Sequence, residues 1–157
     1  MSYHDTLIDL IAYILRQENN YLNNLEKGNA YDKLIRNYHQ FNHNGNQVYR
    51  RTKLMQQHYR YSKDAWKCRD EMNKLYFEHL YPVKKVKDEL RNLTDSKINQ
   101  QQIKKILSKT EIVVVTKLEA KELNKSFKDS IPENAQNRLQ ALGIEIEEKT
   151  NANSLGI

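Results

Sequence analysis

Apolar residues at positions 7, 8, 11, 14, 15, 22 and 25 recur at steps of three and four, which predicts an amphipathic helix of about twenty residues. Thr6 reads as its N-cap, Asp9 favours the positive end, and Gly28 is the expected stop. Tyr31, Leu34, Ile35, Tyr38 and Phe41 share the face of a second helix, which the turn formers Asn42-His43-Asn44-Gly45 end. Leu54, His58, Tyr61, Ala65, Cys68, Met72 and Leu75 alternate at steps of four and three, so residues 46–75 read as helical, either continuous or restarted at a Ser62 cap.

The period then changes. Tyr76–Tyr81 is an aromatic run that reads as extended, and it meets Pro82, whose fixed φ suits the first turn of a helix carrying Val83, Val86, Leu90 and Leu93. Thr94-Asp95-Ser96 breaks that helix, and Ile98, Ile103, Ile106 and Leu107 mark another. Glu111–Thr116, with three consecutive valines, is the strongest strand signal and suggests burial on both faces. Thr116-Lys117-Leu118-Glu119 has the form of a capping box opening a helix through Leu123. Ser130–Glu133 is expected to open a further helix through Leu142, ended by Gly143, and Ile144 with Ile146 to form an edge strand. A strand, a helical crossover and a second strand in 111–147 suggest a βαβ-like unit, right-handed if its strands are parallel.

These elements give a mainly helical α+β domain over residues 1–148, helical in 1–75 and α/β in 76–148, with 149–157 as a flexible tail. Four Gly and two Pro in 157 residues supply few turns for an all-β fold. Cys68 is the sole cysteine, so no disulfide or Cys-based zinc site forms within one chain. Without an apolar run of membrane-spanning length or a leader, the expectation is a cytoplasmic protein without membrane contact.

Charge sharpens the picture. The net +6 is concentrated in residues 45–90, which carry eleven Lys/Arg against six Asp/Glu. Within 49–69, Arg50, Arg51, Lys53, Arg60, Lys63, Lys67 and Arg69 are interleaved with Tyr49, Tyr59, Tyr61 and Trp66. Cations would meet phosphates while aromatic rings stack on bases, so Tyr49, Tyr59 and the seven cations form the candidate nucleic-acid surface, for DNA or RNA. An acidic protein is the other partner that such a surface fits, as in an inhibitor or immunity protein. The bland reading is a solvated helix face with its aromatics in the core.

Glu78 and His79 are the candidate catalytic pair. Glu78-His79-Leu80-Tyr81-Pro82 resembles the acid-His-x-x-Pro start of the ββα-metal (HNH) nucleases. That resemblance implies His79 as the base that activates water and Glu78 as a neighbour of a divalent metal. The nuclease motif continues with an Asn and a further His or Asn on the next helix. Here that helix offers Asp88, Glu89 and Asn92, and no His follows residue 79. A structural role, with His79 bonding a backbone group at a strand–helix junction, is the expectation, with no metal and no cofactor. His39 and His43 have the spacing of a metal pair, but the turn at 42–45 is expected to end the helix between them.

The runs EHLYPVKKVKDEL, IVVVTKLEAKELNKS, IPEN and LGIEI also resemble a family of small uncharacterised proteins from bacteria and their mobile elements. Its pattern is Glu-His-hydrophobic-hydrophobic-Pro, a strand entering Thr-Lys-x-Glu and Leu-Asn, Met-Pro-Glu, and Gly-Ile. The likeness covers residues 78–90 and 112–146, departs at Tyr81 and Ile131, and places Glu78, His79, Pro82 and Asn124 in motif positions. It implies an architecture and no activity. The leading expectation is a small nucleic-acid-binding protein of a bacterial or mobile-element system.

Overall fold

The computed structural model describes residues 1–17 and 30–147. Among them, eight α-helices accompany one three-stranded mixed sheet, so the fold is α+β and mainly helical. In chain order these are α1 (Tyr3–Leu15), α2 (Ala30–Gln40), α3 (Thr52–His58), β1 (Arg60–Tyr61), α4 (Lys63–Lys67), β2 (Leu75–His79), α5 (Val83–Arg91), α6 (Gln100–Leu107), β3 (Ile112–Thr116), α7 (Lys117–Phe127) and α8 (Arg138–Ala141).

Helices α1, α2, α5 and α6 pack together because each turns an apolar stripe inward. Leu7, Ile8 and Ile11 of α1 meet Ile35 of α2, Val86 and Leu90 of α5, and Ile103 and Leu107 of α6. Helix α1 starts earlier than Thr6: Ser2 is its N-cap, in a reciprocal box with Asp5. It ends at Leu15, and the expected continuation through Leu22 and Leu25 lies outside the described residues.

β3 is the middle strand, parallel to β1 and antiparallel to β2. Its valines are buried on both faces, as their run implies. Ile112 and Val114 face a cluster with Met55, Tyr59, Tyr61 and Leu75, while Val113 and Val115 face Ala120 and Leu123 of α7 and Leu139 of α8. Thr116 ends β3 and caps α7 in the expected box, accepting from the Glu119 amide at 3.2 Å while Glu119 accepts from the Thr116 amide at 2.7 Å. Ser62 also donates to Glu119 at 2.7 Å, tying the start of α4 to the same cap. Thr116→Ala should lower stability by about 1 kcal/mol, or up to ~2, in urea denaturation, since it frees one end of this network; an unchanged midpoint would contradict the assignment.

Three expectations are corrected. Residues 46–75 form no continuous stripe helix: α3 ends at His58, and Arg60 and Tyr61 enter the sheet beside Val113 and Val114. The buried residue of α3 is Met55, while Leu54 is exposed. The helical part therefore does not stop cleanly at residue 75, because β1 comes from inside it. Ser130–Glu133 opens no helix; Asn137 caps the single turn of α8 instead. Residues 144–147 make no parallel crossover strand. They lie antiparallel along the outer side of β1, through the Ser62–Ile146 bridge and the Glu147 amide donating to Tyr61 O at 2.7 Å. Among the described residues, no helix is long and apolar enough to cross a membrane.

Candidate functional site

Strand alternation separates Glu78 from His79. Glu78 lies opposite Val113 and so faces α7 and α8; His79 lies opposite Ile112 and faces the other way. Both are buried, at 6% and 8% exposure.

Glu78 is matched by a cation from sixty residues away. Arg138 at the start of α8 is 4% exposed, and its Nη2 lies 2.8 Å from Glu78 Oε2. The same Nη2 donates to the His79 carbonyl, and Nη1 donates to the Phe127 and Lys128 carbonyls at 3.3 and 3.1 Å. One guanidinium thus joins β2, the end of α7 and α8, and satisfies carbonyls that the last turn of a helix leaves open. Burial raises the Glu78 pKa, and Arg138 and Asn124 partly oppose that rise.

His79 bonds a backbone group, as its structural reading implies. Its Nδ1 lies 2.9 Å from the Thr110 carbonyl, an acceptor, so that nitrogen carries the proton. Burial lowers the imidazole pKa to about 4. Glu89 is engaged elsewhere, accepting from Tyr81 Oη at 2.6 Å and pairing with Lys109, and Asp88 is exposed. Among the described residues, no three His, Cys, Asp or Glu side chains come together as a metal site. At this strand–helix junction His79 is hydrogen-bonded to a backbone carbonyl and Glu78 is charge-paired with Arg138.

The basic stretch 49–69 divides in two. Arg60 forks onto Glu111 with Nε and Nη2 at 2.8 and 2.9 Å, Lys63 pairs with Glu145, and Lys67 pairs with Asp64 at 2.7 Å. Arg69 lies over the Trp66 ring at 4.5 Å and donates to its carbonyl. Tyr59 is 4% exposed with its hydroxyl on the His39 carbonyl, so it offers no ring for stacking. The remaining members stay together at the surface. Arg50, Arg51 and Lys53 are exposed, with no acid partner among the described residues, and the Arg50 guanidinium sits 5.3 Å over the Tyr49 ring. Tyr49 meets the edge of Phe77 on β2 at 5.6 Å.

Phe77 leads to a feature that no local sequence signal marks. A cleft of about 440 Å³ runs beside β2, between α2, the start of α5 and the end of α7. Glu78, His79 and Arg138 line it, together with exposed Tyr76, Lys84 and Lys128. Arg138 escaped the sequence reading because its partners are Glu78, the His79 carbonyl and the end of α7, none of them local to it. His39 and His43 do not pair: His39 bonds the Leu107 carbonyl at 3.2 Å, while His43, in the expected turn, has its Nδ1 3.0 Å from His4 Nδ1. Cys68 is half-buried at the end of α4 rather than on a helical stripe. No family model matches the chain, and no curated protein or solved structure does.

Proposed function

We propose that the protein is a small cytoplasmic nucleic-acid-binding protein of a bacterial or mobile-element system, gripping the strand through Tyr49, Arg50, Arg51 and Lys53. One observation carries this reading: while Arg60, Lys63 and Lys67 are paired with acids, Arg50, Arg51 and Lys53 remain exposed with no acid partner among the described residues, and Arg50 lies over the Tyr49 ring. Free cations gain most from phosphate contact, because no internal pair has to be broken first.

Fluorescence anisotropy with a labelled single strand tests it. Three phosphate contacts predict that log K falls with log salt at a slope of about −2. Arg50→Glu with Arg51→Glu should abolish binding. Arg60→Glu is unsuitable as a test, because it places a second carboxylate against Glu111. Absence of binding at low salt, or salt-independent binding, refutes the reading, and a stoichiometric complex with an acidic protein would favour the inhibitor class instead. In the same mixtures, magnesium or manganese should leave the strand uncut; cleavage lost in His79→Ala would make the nuclease reading the better one.

A further inference from the structure

The cleft beside β2 has a charge that its own pairs do not cancel. Its walls carry five Lys/Arg and three Asp/Glu. Asp32 is shared between Arg36, at 2.5 Å, and Lys87, at 3.3 Å, and Glu78 is matched by Arg138. Lys84 and Lys128 are left exposed without an acid partner among the described residues, and Asp129 at the rim is the remaining acid of the lining.

The backbone adds to this field. Helix α5 begins inside the cleft at Pro82 and Val83, with no side-chain cap on its first amides and no acid in its first turn. Lys84 and Lys85, in that first turn, add to its positive end, an arrangement that favours an external anion. Deeper in the wall, Arg138 has one buried N–H, Nε, without a hydrogen-bond partner. Tyr76, 46% exposed, stands in the same lining as a surface for a planar ring.

We infer that this cleft seats one nucleotide unit, its phosphate against Lys84, Lys128 and the first turn of α5 and its base on Tyr76. A volume of about 440 Å³ lies within the ~300–1,000 Å³ range of small-ligand sites and suits a single unit rather than a duplex. The unit is a free nucleoside monophosphate or the terminal nucleotide of a strand. The second source rests on the proposed nucleic-acid binding, since Phe77 joins the cleft to Tyr49.

Calorimetric titration with a nucleoside 5′-monophosphate, inorganic phosphate, and a short single strand with either a 5′-phosphate or a 5′-hydroxyl separates the cases. The 5′-phosphorylated strand should bind about ten-fold more tightly than its 5′-hydroxyl counterpart. Lys84→Glu with Lys128→Glu, both at exposed positions, should remove that difference and the monophosphate binding, with the circular dichroism spectrum unchanged. Tyr76→Ala should weaken the monophosphate about ten-fold, the order expected for one stacked base, and leave inorganic phosphate unaffected. Arg50→Glu with Arg51→Glu should weaken both strands and leave the monophosphate untouched. Monophosphate affinity unchanged by the Lys84 and Lys128 substitutions overturns the inference. Strand binding indifferent to the 5′-phosphate and to these lysines overturns the cleft alone, monophosphate binding without strand binding overturns the proposed function alone, and binding of none of the four probes overturns both.

Discussion

Arg138→Met should cost roughly 3–5 kcal/mol of stability, the magnitude seen when one partner of a buried ion pair is removed. The substitution strands Glu78 at 6% exposure and opens three carbonyls, those of Phe127, Lys128 and His79. Adding Glu78→Gln should recover part of the loss, because a neutral amide needs no counter-charge and can still meet Asn124. The gap between Arg138→Met and the parent should also narrow on acidification, since a protonated Glu78 no longer requires a cation. Urea denaturation of the three proteins decides it. A loss below ~1 kcal/mol would mean that this pair is worth no more than an exposed salt bridge.

Acidification from pH 6.5 towards 4 should destabilise the protein steeply. His39 and His79 both have pKa values lowered to about 4, with burial the first cause at each. Between the ordinary value and about 4, the unfolded chain binds protons that the folded chain refuses, so stability falls as pH falls. A shift of that size corresponds to at most about 3 kcal/mol per imidazole at 1.36 kcal/mol per pH unit. Glu78 works in the opposite direction, because its raised pKa makes the folded state the better proton acceptor above the ordinary carboxyl value. The two histidines should dominate, and His79→Gln should flatten part of the profile. Denaturation midpoints that stay level from pH 7 to pH 4.5 would sink the prediction.

What was legible in the sequence was local. The Ser62 cap, the Thr116 box, the Pro82 helix start and the triple valine of β3 are each encoded within a few residues, and each is found where its chemistry places it. The stripe from Leu54 to Leu75 satisfied helical spacing, yet Arg60 and Tyr61 are drawn out of it by pairing with Val113 and Val114, some fifty residues on. The pairing within the basic stretch was hidden for the same reason. Arg60 and Lys63 look free along the chain until Glu111 and Glu145 arrive beside them. Tyr59 looks like a stacking ring until the fold buries it under His39. The cleft is assembled from α2, β2, α5, α7 and α8, so no single run of residues announces it.

The order of the sheet carries a further consequence for how the chain reaches this state. β3 lies between β1 and β2 but follows both in the sequence, so the two flanking strands leave the ribosome before the strand that holds them exists. A nascent chain extending to residue 110 can gather α1, α2, α5 and α6 around their shared apolar stripes, yet it has no sheet. Emergence of Ile112–Thr116 closes both pairings together, and residues 144–147 then screen the outer side of β1. Such late, non-local closure slows folding and leaves unpaired strand segments exposed in the interval. Until Val113 and its neighbours are translated, Arg60–Tyr61 and Leu75–His79 lack the strand they pair with.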